Sequence, residues 1–432
     1  MRPLVGADPY RADVSQTLRL LFAVLFAALG ALTVVPTPTR VPWLPSILVT
    51  EFGYGLAIAG LLVFLPGWRR SRAGQASAVL CVGAIVLLVI PVWRARQSGL
   101  ELPQTFAASF GTQQRTAAGF ANPARVVPFE WTSLVRPVQS TPVRFERRVF
   151  QTSRGRQLAV ELYHPSYPHG LIPGVIVIPG ESWHAGKEYV ALNGYLAARD
   201  YLVAVVGEPL GPHYPFSAAR DDLFAIITYL KTHAMEIGLD QTRLVILGRS
   251  LAGHLGLLVA YTANDPGIRG AISLYAPTDF RRWYANPPAG STNGTRAALQ
   301  EYLGGPPEHS QDLFDAASPI RFVTASSPPT LLVHGMHDDV VPPEESEALA
   351  GRLEQKGVPH LLVRLPWAVH GCDKSFAGPC GQITTYAVER FLNRVMVERD
   401  ASGHKARGPR PDRRAQRSKT DAAPRPSDGP ST

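Results

Sequence analysis

The sequence predicts an α/β domain, a mostly parallel sheet with helices on both faces, preceded by three transmembrane helices. Three observations carry this prediction. Between residues 143 and 398, short β-branched runs alternate with helix-favouring segments, the pattern of parallel strands joined by crossover helices. Three apolar stretches fill the first 96 residues, each near the roughly 20 residues needed to cross a bilayer. One apolar run, Leu244 to Leu247, ends in Gly248-Arg249-Ser250 and meets a helix-favouring segment. That is the form of a sharp strand-to-helix turn that lifts a serine above the sheet.

The elements follow in order. The apolar stretches are Leu18 to Val35, Ile47 to Leu65 and Ala76 to Trp93, so residues 1–96 read as a three-helix membrane anchor. Gln97 to Pro142, with scattered Pro, Gln, Thr and Ala, reads as a linker with only short helical possibilities. Phe145 to Gln151 and Gln157 to His164 read as two antiparallel strands joined at Ser153-Arg154-Gly155. Strands are then predicted at 174–178, 201–206, 243–247, 270–275, 330–333 and 360–365. Helices are predicted at 187–199, 217–235, 251–263, 344–356 and 382–397. Residues 277–327, rich in Pro, Gly, Ser and aromatics, form a long excursion suited to a lid or pocket wall. The tail 399–432 is rich in Pro and charge without apolar periodicity, and is expected to be disordered.

Chemistry-bearing residues stand at three strand ends. A turn of the Gly-x-Ser kind needs small residues two positions to either side of the serine, where a Cβ would strike the folded backbone. Gly248 meets that need and Ala252 misses it by one methyl group. The strand Thr330 to Val333 runs into His334-Gly335-Met336-His337-Asp338-Asp339, and the strand His360 to Leu365 into Pro366-Trp367-Ala368-Val369-His370. The order Ser250, Asp338, His370 is the nucleophile–acid–base order of the α/β-hydrolase fold. A serine hydroxyl is a weak nucleophile at neutral pH, so a histidine must take its proton as it attacks an acyl carbon. The acid fixes the imidazole tautomer and stabilises the imidazolium. Negative charge on the carbonyl oxygen calls for backbone N–H donors. Leu251 supplies one by position, and Glu181 and Ser182, on the loop after strand 174–178, are candidates for the other. Asp339 is the alternative acid and His337 the alternative base; His254 is expected to pack or bond locally.

The stretch 145–398 resembles bacterial α/β-hydrolase esterases, of the lipase and carboxylesterase kind related to dienelactone-hydrolase and prolyl-oligopeptidase domains. The resemblance rests on GRSLAGH, on Pro328 to Pro343, and on Leu365 to Leu392, which is similar to a branch in which the enzyme follows a membrane anchor. Two departures stand out. The oxyanion loop usually reads His-Gly-Gly-Gly-Trp, whereas Pro179-Gly180-Glu181-Ser182-Trp183 stands here, and the usual Ser-Ala-Gly-Gly is Ser250-Leu251-Ala252-Gly253. The resemblance implies a serine esterase, with no cofactor, acting on a small-molecule or lipid acyl ester. Peptidase, thioesterase and acyltransferase chemistry use the same residues, and a non-catalytic binding module shares the fold.

The formal charge of +9 is uneven along the chain. Residues 1–96 carry nine arginines against three acids, and residues 399–432 nine basic residues against four acids, leaving the middle slightly acidic. A neutral domain of this kind offers no basic face for nucleic acid. The tail is read as solubilising, with anionic lipid headgroups as the alternative contact. Arg2, Arg11 and Arg19 precede or open the first apolar stretch, and Arg69, Arg70 and Arg72 lie between the second and third. The positive-inside bias puts those ends in the cytoplasm and, after three crossings, the α/β domain outside, with Arg94 and Arg96 opposing. An oxidising compartment would let Cys372 and Cys380 pair just after His370; two free thiols are the alternative, and Cys81 is read as packing. Metal binding at His334, His337, Asp338 and Asp339 is disfavoured, since a histidine at a strand end more often makes turn hydrogen bonds. Trp183, Tyr275, Trp283, Tyr284 and Phe376 are the aromatic candidates for an acyl pocket.

Overall fold

The computed structural model describes residues 9–34, 44–111, 125–135, 142–166, 170–180, 190–207, 215–288 and 292–396. The basic tail at 399–432 lies outside the described residues. Helices α1 (Pro9–Ala31), α2 (Leu44–Gly60) and α3 (Arg72–Phe110) come first. They pack around a small apolar core that includes Phe26, Val49, Ala57, Ala84 and Leu88. Their outer faces expose Leu21, Leu25, Ile58, Val79 and Val86. Helices that are apolar inside and outside suit a lipid solvent.

Two segments, Pro45–Phe64 and Arg72–Phe110, are long and apolar enough to cross a membrane. The expectation of three such helices is corrected, because the apolar part of the first, Gln16–Ala31, is shorter. Gln16 Nε2 donates to the Gly67 carbonyl at 3.3 Å, and Arg19 Nη2 to that of Leu65 at 3.3 Å.

The linker expected from Gln97 is also corrected, because α3 runs unbroken for 39 residues. At 1.5 Å per residue that is roughly 58 Å, about twice a hydrocarbon core. Beyond Trp93 the helix leaves its apolar stretch and buries Leu102, Phe106 and Phe110 against the α/β domain. Their spacing of four puts them on one face. Only residues 112–124 and 136–141 of the expected linker lie outside the described residues; 125–135 pack on the domain, where the Arg125 N–H donates to Glu389 Oε2 at 3.0 Å.

The sheet has eight strands. In chain order they are β1 (Val143–Gln151), β2 (Gln157–Pro165), β3 (Ile172–Ile178), β4 (Leu202–Val206), β5 (Leu239–Arg249), β6 (Ile268–Leu274), β7 (Thr330–Gly335) and β8 (His360–Leu365). Their spatial order is β1-β2-β4-β3-β5-β6-β7-β8. β1 and β2 pair antiparallel, as do β2 and β4, and the rest are parallel. The parallel strands are buried on both faces, so they read as continuous apolar runs, as at Val175 to Ile178 and Leu244 to Leu247. The edge strand β1 alternates instead, exposing every other side chain along most of its length.

Helices cover both faces: α4 (Val190–Ala197), α5 (Phe216–Thr232), α6 (Ala234–Ile237), α7 (Ser250–Thr262), α8 (Phe280–Ala285), α9 (Thr292–Leu303), α10 (Gln311–Ala317), α11 (Glu344–Gln355) and α12 (Pro379–Val395). One core joins Ile176, Leu244 and Ile246 to α5, α7 and α11, and the other joins Val175, Val245 and Ile272 to α12 and the end of α3. The excursion after β6 holds three of these helices, and its buried Phe280, Tyr302 and Phe314 anchor it to the first core.

Candidate active site

Ser250 opens α7 directly after β5 and adopts φ +52°, a left-handed backbone that a non-glycine residue holds only when its surroundings impose it. The backbone crossing that imposes it lies between Gly248 and Gly253. A Cβ on Gly248 would stand 2.6 Å from Gly253 Cα, and one on Gly253 would stand 2.6 Å from Ala276 Cβ. The small residue that matters is therefore Gly253, and the expectation placed on position 252 is corrected. Ala252 is buried in the core.

The three predicted residues converge. His370 Nε2 lies 2.8 Å from Ser250 Oγ, and His370 Nδ1 lies 2.7 Å from Asp338 Oδ2. Only 4% of Ser250 and 7% of His370 is exposed, so the chain of hydrogen bonds is largely shielded from water. Asp338 Oδ1 accepts from the N–H groups of Val340 and Val341, both at 2.9 Å. Burial works against the Asp338 charge, yet the neighbouring His370 and the hydrogen bonds from His334 and His370 outweigh it and hold the carboxyl well below its ordinary range. Asp338, rather than the alternative Asp339, is the carboxylate beside His370.

Other residues take positions of their own. Gly180 passes over the serine, where a Cβ would lie 3.3 Å from Ser250 Cβ. The donor candidates next to it, Glu181 and Ser182, and the aromatic Trp183, lie outside the described residues. Leu251, the other donor candidate, sits in the first turn of α7 and is buried. His254 approaches the Leu251 carbonyl and lies 3.2 Å from the Tyr302 hydroxyl, and burial lowers its pKa to about 3. His334 bridges Ser346 Oγ at 2.7 Å and the Val341 carbonyl at 3.0 Å, as a structural turn residue would. His337 sits beside the Thr33 backbone, and burial, with the charge of Arg94, lowers its pKa. No cluster of three metal-ligating side chains occurs among the described residues.

Sequence reasoning missed a buried ion pair beside the three residues. Arg249 Nε donates to Asp373 Oδ2 at 2.7 Å, and the Tyr275 hydroxyl donates to Asp373 Oδ1. Tyr275, at φ +44°, packs its ring at a steep angle to His370, with centroids 4.7 Å apart. Of the pocket aromatics among the described residues, Tyr275 meets the site; Trp283 packs on Phe280, Tyr284 on Phe314 and Phe376 on Tyr195. Cys372 and Cys380 bracket Asp373 as a disulfide, Cα atoms 5.7 Å apart. The signal available in the sequence was the acidic residue enclosed between the two cysteines.

Known proteins share this architecture. The family described as BD-FAE matches residues 160–353. Esterase LipC of Mycobacterium tuberculosis is 27% identical over 268 residues, 58% of this chain and 65% of LipC, so the match spans just under two thirds of that relative. The probable carboxylic ester hydrolase LipM of the same organism is 26% identical over 389 residues, 83% of this chain and 88% of LipM. Among solved structures, the thermostable carboxylesterase EstE1, cloned from a metagenomic library, superposes with a TM-score of 0.52 at 19% identity, covering 70% of this chain and 97% of that one. The structural likeness places this chain in the α/β-hydrolase fold, and its sequence is similar to bacterial esterases.

Proposed function

We propose that the chain is a membrane-anchored esterase in which Ser250, His370 and Asp338 act as nucleophile, base and acid. The observation that carries this reading is the unbroken relay from Ser250 Oγ through His370 to Asp338, at 2.8 and 2.7 Å. His370 Nε2 takes the Ser250 proton as Oγ bonds to the acyl carbon. The backbone N–H of Leu251 and one from the loop after β3, at Glu181 or Ser182, stabilise the oxyanion. The C–O bond to the alcohol then breaks, and that alcohol leaves with the proton from His370. Water, deprotonated by His370, attacks the acyl-enzyme, releases the carboxylic acid and returns the proton to Ser250.

The substrate is an acyl ester met at the membrane surface. Loops following β7 and β8 touch the anchor, His337 at Thr33 and the Pro366 carbonyl at Arg94. In this reading α2 and α3 cross the bilayer, and the α/β domain stands on the extracytoplasmic side. The turn holding Arg69 and Arg70 is at the end of α1 that carries Gln16 and Arg19, opposite Thr33, which suits a cytoplasmic location.

Labelling with a fluorophosphonate tests the reading. Full-length protein should be labelled and should hydrolyse a p-nitrophenyl ester, and Ser250→Ala should do neither. Unlabelled, inactive wild type with an intact fold overturns the proposal.

A further inference from the structure

The loop from Pro366 to Cys380 carries His370, and both of its ends are gripped by anchor helices. At one end Arg94 Nη1, on α3, donates to the Pro366 carbonyl at 2.9 Å. At the other, Glu51 Oε2, on α2, accepts the Cys380 N–H at 3.0 Å. Glu51 is fully buried, and the fit around it is tight enough that a Cβ on Gly378 would stand 2.4 Å from its Oε2. The Trp367 indole and the Asp373 carboxylate lie close by, so the Glu51 carboxylate is enclosed by residues of the His370 loop.

A carboxylate in an otherwise apolar helix is costly, and such a residue is retained where it has a specific partner. Here its partner is an N–H in the first turn of α12, a position where a helix leaves its backbone donors unpaired. Cys380 is also the disulfide partner of Cys372, two residues after His370. Glu51 therefore acts on His370 through one hydrogen bond and one disulfide, and Arg94 through four residues of chain.

We infer that Glu51 and Arg94 are positioning residues, and that the membrane anchor holds the base His370 in register with Ser250. The inference rests on the triad reading above. It makes the anchor part of the catalytic apparatus and not merely a tether. A displacement of a catalytic group by about 1 Å can cost about a hundredfold in rate, so loosening either end of this loop should be read in kcat.

The test uses full-length protein in lipid nanodiscs, with p-nitrophenyl butyrate as substrate. Glu51→Leu and Arg94→Leu should each lower kcat by about tenfold or more with KM nearly unchanged. Glu51→Gln, which keeps an acceptor for the Cys380 N–H, and Arg94→Lys, which keeps a donor, should recover most of that loss. Wild-type kcat in folded Glu51→Leu and Arg94→Leu overturns the inference, as does a failure of both conservative variants to rescue. Folding is followed by melting temperature. Should Glu51→Leu not fold, the half-buried Arg94 pair of variants decides alone. Ser250→Ala runs alongside: turnover that survives in it defeats the triad reading, whereas Ser250-dependent turnover untouched by the leucine variants defeats the positioning role only.

Discussion

Arg249 and Asp373 form an ion pair from which water is excluded, their side chains 0% and 3% exposed and Nε to Oδ2 at 2.7 Å. The pair links the residue before Ser250 to the third residue after His370, 124 positions apart. Tyr275 holds the other carboxylate oxygen. Ser250 and His370, the proposed nucleophile and base, are thus fastened together by a contact that neither of them makes.

Removing one partner of such a pair should be costly. Asp373→Leu leaves a buried guanidinium without this carboxylate and should destabilise the domain by about 3–5 kcal/mol. The double change Arg249→Met with Asp373→Leu, which removes both charges, should be less destabilised than Asp373→Leu alone. Chemical denaturation of the three proteins reads this directly, and a double variant no more stable than the single would refute the pairing.

The residues of the proposed triad make different demands. His370→Ala should lower kcat by at least about a thousandfold, and Asp338→Asn somewhat less, because positioning and oxyanion stabilisation leave residual catalysis. Asp339→Asn should have a much smaller effect. Steady-state kinetics suffice, and full activity in His370→Ala or a larger loss in Asp339→Asn would reverse the assignment.

Asp338 also predicts a pH dependence of stability. Its folded carboxyl titrates below its ordinary range, because His370 and the hydrogen bonds from His334 and His370 overcome the burial penalty. A depressed folded value means the stabilisation is complete above the unfolded value of about 3.9 and is lost as pH falls through the folded one. The stability gap between wild type and Asp338→Asn should be constant at neutral pH and close in strong acid. A gap that persists unchanged at the lowest pH at which the protein still folds would contradict this.

Much of this architecture was legible in the chain because its signals are local. Strand ends at Leu247, Val333 and Leu365 are marked by the change from apolar runs to Gly, Pro and charged residues. What escaped depends on tertiary contact. Gly253 could be recognised as the crossing partner of Gly248 only once the turn was folded. The extension of α3 was hidden by Arg94, Arg96 and Pro103, which resemble a helix stop, although Leu102, Phe106 and Phe110 carried the helical period. β5 begins four residues earlier than expected, because the polar Asp240, Gln241 and Thr242 extend it and a register shift at Pro173 and Gly174 accommodates them.

The Cys372–Cys380 bond should matter more for catalysis than for stability. It closes a short loop, worth roughly 2–3 kcal/mol at most by loop entropy. Cys380→Ser should therefore lower the melting temperature modestly while lowering kcat more, since the bond restrains the segment following His370. Mass spectrometry of non-reduced peptides tests the bond itself, and free thiols at both positions in protein isolated from the membrane would refute it.

Topology can be read without interrupting α3. Arg154, in the turn between β1 and β2, has a 77% exposed side chain, and Arg70 sits in the turn between α2 and α3. If the arginine-rich turn faces the cytoplasm, the hydrolase domain lies on the opposite side of the membrane. Arg94, which argued against this orientation as a charge near the outer end of α3, is instead spent on the Pro366 carbonyl. Arg154→Cys should react with a membrane-impermeant maleimide in intact spheroplasts, and Arg70→Cys only after lysis. Background should be low, because Cys81 is buried and Cys372 and Cys380 are bonded to each other. The reverse labelling pattern would place the domain in the cytoplasm and remove the oxidising surroundings that the disulfide needs.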